Sequence, residues 1–280
     1  PTEDTRAFTF VVVADPHVYD DGEHTRRLEE ALTWIEAQRE ALAVDFVLVA
    51  GDVAWKKGHD PALAAFDTLP IPWVPVIGDN EIQYGEEALY AEKFSPHLAG
   101  LADRLEDWRL SDVTVTLPET GEPATLLNWR FRHRGVTFLG LDWGTRIKLP
   151  ILGENAALHD VEGGTWRFFE EELAAVPEGL DERVIVLTHH PMLVIPGGFT
   201  AVEGGRIAEL TRAREDVVAM NLGGHFHLDF DQPAADAGYD VVLTDATWDD
   251  EVRVRVVDVW RTVEGAFRYD HHTVTIPFTP

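Results

Sequence analysis

The sequence contains no cysteine, which excludes disulfide bonds and thiolate metal ligands. Positive charge is also scarce, because 23 Lys and Arg stand against 50 Asp and Glu, only four of the basic residues are lysines, and the formal net charge is −27. Such a surface repels polyanions and therefore disfavours a long nucleic acid as a partner. We expect the acidic surface to serve solubility, including at high salt.

Long apolar segments are missing as well. No stretch reaches the roughly 18 uninterrupted apolar residues that a membrane-spanning helix needs, and the first ten residues lack the basic start and apolar run of a signal peptide. We therefore expect a soluble chain without a membrane span. Because Pro1 is not an initiator Met, the sequence leaves open both a cytoplasmic location and export after removal of a signal peptide.

The chain is predicted to form one domain over residues 1–280. It is 45% hydrophobic, enough for one large core, and no repeat, low-complexity tract or long linker divides it. Residues 86–130 begin with a helical pattern broken at Pro96 and are a candidate lid or excursion from the sheet. Residues 239–280 are strand-like throughout and are predicted to be strands of a second sheet.

The first eighty residues alternate buried strands with helices. Apolar runs that end in polar residues occur at 7–17, 45–52 and 73–80, and helical segments separate them. This βαβαβ order implies parallel strands with right-handed crossovers. Together with the strand-like second half, it predicts an α/β fold in which two mixed sheets pack face to face with helices outside.

Five apolar strands end in side chains that can bind a metal. These are Asp15 and His17, Asp52, Asp79 with Asn80, His189 with His190, and His225 with His227. Ligand crevices of open α/β sheets lie at the carboxyl ends of strands, so we expect the five groups to converge there. One D-x-H or H-x-H pair is weak evidence, since a capping or hydrogen-bonded histidine explains it alone. Five such groups in one crevice need a cation to balance them, which favours a metal site.

As a set, these segments resemble the signature of a known superfamily. DPH at 15–17, GDV at 51–53, GDNE at 78–81, THHP at 188–191 and GHFH at 224–227 are similar to the five blocks of the calcineurin-like metallophosphoesterases. The resemblance implies a four-layer αββα sandwich and hydrolysis of a small or medium phosphomonoester or phosphodiester, by in-line attack of a metal-bridging hydroxide. The alternative is a binding or scaffold protein that keeps this fold and has lost catalysis.

The resemblance also assigns metal ligands. It implies Asp15, His17 and His227 for a first ion, His189 and His225 for a second, and Asp52 for both. Carboxylate and imidazole ligands without thiolate suit two divalent or trivalent ions of Mn, Fe, Zn or Co. Two such ions clamp a phosphoryl group and ionise a water between them.

The third block departs from the family pattern. The family usually has Gly, Asn, His and then Asp or Glu, whereas this chain has Gly78, Asp79, Asn80 and Glu81. Without an insertion, Asp79 takes the ligand position and Asn80 the position of the histidine; in a second alignment Asn80 is the ligand and Asp79 is an added residue. We favour the first because of where the strand ends. A third carboxylate favours Mn or Fe over Zn, and Asn80 can bind a phosphate oxygen but cannot act as a general acid.

Other side chains near the blocks are candidates for catalysis or substrate binding. His190 and His59 are candidate general acids, with a surface or hydrogen-bonding role beside the ligands as the alternative. Tyr19 and Trp55 follow the first two blocks and could stack on an aromatic group of the substrate, or pack in the core. Lys56 could meet a second phosphate or carboxylate of the substrate, or lie in a solvated loop.

Overall fold

Two mixed β-sheets carry the fold in a computed structural model that describes residues 3–20, 22–147, 155–177, 183–214, 217–234, 238–249 and 251–279. The five-stranded sheet contains, in spatial order, β12 (Phe267–Ile276), β11 (Val252–Arg261), β1 (Thr5–Val13), β2 (Val44–Val49) and β3 (Trp73–Pro75). The seven-stranded sheet contains β4 (Glu106–Thr116), β5 (Pro123–His133), β6 (Val136–Leu141), β7 (Arg183–Thr188), β8 (Val218–Gly223), β10 (Tyr239–Leu243) and β9 (Phe230–Ala234).

In the part of the chain that the structure describes, six α-helices lie outside the sheets. They are α1 (Glu23–Leu42), α2 (His59–Phe66), α3 (Asp79–Gln83), α4 (Glu87–Gly100), α5 (Thr165–Ala175) and α6 (Ala201–Arg212), with a 3-10 turn at Leu101–Asp103. Within the described ranges, none of these helices combines the length and apolar character needed to cross a membrane.

Alternating side chains explain why the sheets pack face to face. In β1, Phe8, Phe10 and Val12 belong to the core between the sheets, whereas Val11 and Val13 belong to the core under the helices. The core between the sheets is aromatic at its centre, where the ring of Phe10 stacks on a ring from β2 at 5.2 Å. Both faces of this strand are therefore buried, as its continuous apolar run predicts.

The helices cover the outer faces of both sheets. Apolar residues of α1, α2 and α4 pack on the five-stranded sheet, and those of α5 and α6 pack on the seven-stranded sheet. In α5 the spacing of Trp166, Phe169 and Leu173 places all three on the buried face. The order helix, sheet, sheet, helix confirms the predicted αββα sandwich.

The structure corrects two predictions about chain segments. Residues 86–130 are neither a lid nor an excursion, because Tyr90 and Phe94 of α4 are fully buried and β4 and β5 are hydrogen-bonded into the seven-stranded sheet. Residues 239–280 are not all in the second sheet: β10 is, but β11 pairs antiparallel with β1 and β12 pairs with β11. Alternating apolar residues identify a strand, but they do not identify the strand with which it pairs.

Parallel pairing brings five loops to one edge of the sandwich. The strands β1, β2 and β3 are parallel in one sheet, and β6, β7, β8 and β10 are parallel in the other. The loops after β1, β2, β3, β7 and β8 carry the five polar blocks. Their side chains meet at this edge of the sandwich.

Candidate metal centre

The first group of candidate ligands consists of Asp15, His17 and His227. The Nε2 atoms of His17 and His227 lie 3.2 Å apart. Asp15 Oδ1 lies 3.9 Å from His17 Nε2 and 3.6 Å from His227 Nε2. Donor atoms from all three side chains lie within 4.8 Å of one another, so they could hold a metal ion together.

The second group consists of Asp79, His189 and His225. Asp79 Oδ1 lies 2.7 Å from His189 Nε2 and 3.2 Å from His225 Nδ1. The Nδ1–H of His189 donates to the carbonyl of Ala50 at 2.8 Å, which leaves Nε2 facing Asp79. A hydrogen bond of this kind fixes the ring and increases the basicity of the nitrogen that binds a metal.

Asp52 lies between the two groups. Its Oδ2 atom is 3.3 Å from His17 Nε2 in the first group and 3.5 Å from His189 Nε2 in the second. One carboxylate therefore faces the ring nitrogens of both groups, as a ligand shared by two ions has to.

The backbone at these residues is strained. Five of the candidate ligands have positive φ values, which are 46° for Asp15, 47° for His17, 48° for Asp52, 70° for His225 and 49° for His227. Such a conformation costs roughly 1–3 kcal/mol in a non-glycine residue and is concentrated at functional sites. The loops thus direct these side chains to one place at a cost in stability.

Two glycines of the blocks allow the backbone to approach the ligands closely. A Cβ on Gly78 would overlap Oδ1 and the backbone nitrogen of Asp52, and a Cβ on Gly224 would overlap Oδ2 of Asp15. Any side chain at either position would displace a carboxylate of the cluster.

Glu81 connects the loop after β2 to the loop after β3 by hydrogen bonds. Its side chain is fully buried and accepts hydrogen bonds from the backbone N–H groups of Ala54 and Gly78, both at 2.9 Å. The loops after β2 and β3 are thereby held in one arrangement. Burial raises the pKa of Glu81 to about 7, against these two hydrogen bonds.

The buried carboxylates repel one another. Burial and the neighbouring Asp79 raise the pKa of Asp52 well above its ordinary value. Burial also acts to raise the pKa of Asp79, but hydrogen bonds from His189 and His225 hold that pKa well below its ordinary value. Asp15 behaves similarly, because its interaction with His227 and other histidines outweighs its burial and lowers its pKa.

The pKa values of three histidines depend on burial and on these carboxylates. Burial lowers the pKa of His17 to about 4. Burial also opposes charge on His189 and His227, but the carboxylates outweigh it and raise the pKa of both rings. The raised pKa values of His189 and His227 favour protons on these rings, which would offset the charge of the buried acids. A bound cation would replace those protons, so the buried donor set of oxygen and nitrogen atoms fits metal ions.

Asp79 and Asn80 have different partners. The Asp79 carboxylate lies in the second group, whereas the Asn80 amide Nδ2 donates to Asp52 Oδ2 at 2.7 Å and lies 3.0 Å from His17 Nδ1. The Asn80 backbone N–H donates to the other oxygen of Asp52 at 2.9 Å. The carboxylate and not the amide thus joins His189 and His225.

The two candidate acids lie in different places. The ring of His190 is almost fully buried, with its centre 4.4 Å from that of His225. His59 is buried at the start of α2, where its ring faces Phe94 and its Nδ1 lies 3.8 Å from a carboxylate oxygen of Glu86. The structure brings His190 to the second group, and the described contacts of His59 lie elsewhere.

The predicted substrate residues cluster beside the loops after β1 and β2. The Nζ atom of Lys56 lies 4.2 Å from the ring centre of Trp55 and 6.0 Å from that of Tyr19. Tyr84, which the sequence did not single out, lies 4.2 Å from the Trp55 ring, and its side chain is exposed. Tyr19 is exposed too, so the two tyrosine rings are available to a ligand, whereas Trp55 is half-buried.

Trp248 is a further residue that sequence analysis missed. Its ring centre lies 5.5 Å from that of His17 and 5.7 Å from that of His227, and it stacks on His24 at 4.9 Å. The loop after β10 reaches this place because Thr247 N donates to the carbonyl of Ala14 at 2.9 Å. The only available signal was that this loop also follows a buried strand.

A family model described as calcineurin-like phosphoesterase matches residues 8–229. The chain belongs to the calcineurin-like phosphoesterase family. Proteins of this family use metal ions, and the two groups around Asp52 are residues of this member that could hold them. A sequence comparison with curated proteins gave no match.

Solved structures share the fold of this calcineurin-like chain at low identity. A putative 5'-nucleotidase from Staphylococcus aureus has a TM-score of 0.60 and 13% identity, over 98% of this chain and 55% of that one. Purple acid phosphatase PPD1 from yellow lupin has a TM-score of 0.52 and 15% identity, over 98% and 55%. GAP50 of Plasmodium, described as the anchor in the inner membrane complex, has a TM-score of 0.53 and 12% identity, over 98% of this chain and 90% of that one. This chain spans about half the length of the first two.

Proposed function

We propose that this family member is a metal-dependent phosphoesterase that hydrolyses a small or medium phosphomonoester or phosphodiester. The proposal assigns one ion to the first group, one to the second and Asp52 to both, with Mn or Fe favoured by the three carboxylates. The observation that carries it is the position of Asp52 Oδ2, 3.3 Å and 3.5 Å from ring nitrogens of the two groups.

The chemistry that two ions would supply when bound to these residues is Lewis acidity toward the phosphoryl group and a more acidic water. The protein's part is to hold the ligands in place before substrate arrives. Hydrogen bonds from the backbone and amide of Asn80 fix Asp52, and the carbonyl of Ala50 orients His189. Such bonds typically change metal affinity or activity by about 10- to 100-fold.

The leaving group receives little help from the protein in this proposal. Asn80 can donate a hydrogen bond to a phosphoryl oxygen, but it has no proton to give to a departing alkoxide. His59 contacts Phe94 and Glu86, and the ring of His190 is almost fully buried. We therefore propose an ester whose leaving group is stable as an anion, such as an aryl phosphate. General acid catalysis would otherwise contribute about 10²- to 10⁴-fold.

The rings of Tyr19 and Trp55 are proposed to contact the rest of the substrate. Lys56 is held over Trp55, where it could pair with a second anionic group. Tyr19 and Trp55 present ring faces and edges to a planar group, with their centres 6.2 Å apart.

The second candidate is a scaffold or binding protein that keeps this fold and has lost catalysis. The observation in its favour is Asn80 at the position of the family's histidine. GAP50, described as an anchor, has a similar fold, so the fold alone does not imply catalysis. Against this candidate, all seven predicted metal ligands lie in or between the two groups.

The test is turnover of 4-nitrophenyl phosphate and bis(4-nitrophenyl) phosphate after loading with Mn, Fe, Co or Zn, with Asp52→Asn as the inactive control. We expect hydrolysis of at least one ester, fastest with Mn or Fe. Protein that binds no transition metal and gives no turnover would contradict the proposal. Bound metal without turnover of either ester would support the scaffold.

A further inference from the structure

We propose that an apolar pocket beside the second group binds the hydrocarbon part of the ester. The pocket has a volume of about 340 Å³. It lies between the loop after β7 and the loop after β8, and Leu193, Val194, Ile195, Phe226 and Leu228 line it together with residues of β9 and β10. The inference rests on the proposed phosphoesterase function and specifies its substrate.

The pocket adjoins one candidate metal ligand, His225, through the ring of Phe226. Phe226, which lines it, lies between His225 and His227 in the chain, and its ring centre is 4.8 Å from that of His225. On the other side, a Cβ on Gly197 would lie 3.1 Å from the Phe226 ring and 3.2 Å from His225 Nε2. A ligand held at the second group therefore has the pocket within reach of its substituent.

The rim of the pocket keeps apolar side chains in contact with solvent. Val194 is 53% exposed and Leu228 is 42% exposed, and both line the same pocket. Single exposed apolar residues are ordinary on a protein surface, but adjacent ones around a concave site mark a binding surface. The segment from 193 to 199 is not loose, because Phe199 N donates to the carbonyl of Leu193 at 3.0 Å.

The lining defines the chemistry of the occupant. Although the chain has a formal net charge of −27, no charged side chain among the described residues lines this pocket, and Gln232 is the one polar residue among them that does. The volume of 340 Å³ is roughly twice the ~150 Å³ of a cavity that holds benzene. The occupant is therefore an uncharged hydrocarbon group of about ten carbon atoms or fewer, joined through an ester oxygen to the phosphorus at the metal centre.

Inhibition by two phosphonates tests the pocket without changing the leaving group. We expect octylphosphonate to inhibit 4-nitrophenyl phosphate hydrolysis by the metal-loaded enzyme about 10-fold more strongly than methylphosphonate, because its chain leaves water. Val194→Asp, which adds a charge at the exposed rim, should remove this preference. Val263→Asp is the matched control, since Val263 is 49% exposed in the turn after β11 and does not line the pocket.

A second pair of variants acts through α6. A Cβ on Gly204 would overlap Cγ2 of Val194, whereas a Cβ on Gly205 has no neighbour within 4 Å among the described residues. Gly204→Ala should therefore displace Val194 and change the octyl to methyl ratio of inhibition constants by at least about 3-fold. Gly205→Ala should leave that ratio unchanged.

Calorimetric titration of chelator-treated protein with 1-octanol separates the pocket from catalysis. We expect 1-octanol to bind the parent chain and Val263→Asp, and to bind Val194→Asp at least about 5-fold more weakly. Equal inhibition by the two phosphonates in an enzyme that turns over 4-nitrophenyl phosphate would overturn the pocket and leave the phosphoesterase standing. A metal-loaded parent chain without any turnover, whose binding of 1-octanol is still weakened by Val194→Asp, would contradict the proposed phosphoesterase activity. It would still support an apolar binding site.

Discussion

The first and second groups of ligands differ in their exposure to solvent. In the first group the His227 side chain is 27% exposed, and Trp248 borders both histidines. In the second group the exposed fractions are 2% for His189, 7% for Asp79 and 9% for His225. The first group is thus open to solvent at His227, and the second is more enclosed.

This difference indicates where the unusual third block has its effect. Asp79 adds its charge to the enclosed group, where water cannot screen it, while Asn80 faces Asp52 and His17. We therefore expect the second group to bind its ion more tightly and the first to exchange its ion more readily. The predictions below test this asymmetry.

The largest effect is expected from Asp52→Asn, because Asp52 faces both groups. An amide of the same size cannot bind two cations, and loss of several kcal/mol of electrostatic stabilisation lowers turnover by about 10³-fold. Metal analysis measures the loss of bound ions, and hydrolysis of 4-nitrophenyl phosphate measures the loss of turnover. If the Asp52→Asn variant retained both ions and full activity, Asp52 would not be a ligand that the two ions share.

Asp79→Ala and Asn80→Ala form the next comparison. Asp79→Ala should empty the second group and reduce turnover by about 10²-fold, because it removes an enclosed charged ligand. Asn80→Ala should keep both ions and lower turnover by about 10-fold, through loss of a hydrogen bond to a charged group. Equilibrium dialysis with Mn gives the occupancies. The reverse order of metal loss would favour Asn80 as the ligand.

Trp248→Ala should act on the first group alone. The ring limits water at His17 and His227, so its removal should weaken the more weakly bound ion by about 10-fold, the size typical of residues that support metal ligands. Trp260→Ala, on β11, is the control because Trp260 stacks under Arg268. Competition with a metal-binding dye measures both affinities. Equal losses at the two groups would contradict the asymmetry.

The smallest effect concerns the pH dependence of stability in chelator-treated protein. The pKa values of His189, His227 and Asp52 are raised, so these three groups hold more protons in the folded chain than in the unfolded chain above pH 6.5. This stabilisation is present below pH 6.5 and is lost as pH rises through the folded pKa values. Thermal unfolding should therefore occur at lower temperature at pH 8.5 than at pH 6.5. Loading with Mn replaces the protons and should flatten the change; a metal-free protein that gains stability over this range would contradict the charge assignment.

The sequence predicted the sandwich and the convergence of the five blocks because both follow from local patterns. Each block closes a buried strand, and parallel strands bring such ends together whatever lies between them. The sequence did not predict that β11 pairs with β1, since strand partners depend on tertiary packing. Trp248 and the pocket around Phe226 were missed for the same reason, because each is formed by loops that meet only in the folded chain.

The central claim is that two ions lie on either side of Asp52. Anomalous X-ray scattering from a crystal of the Mn-loaded protein tests it most directly. We predict two peaks about 3.5–4 Å apart, one among Asp15, His17 and His227 and the other among Asp79, His189 and His225. A single peak, or peaks away from Asp52, would contradict the account.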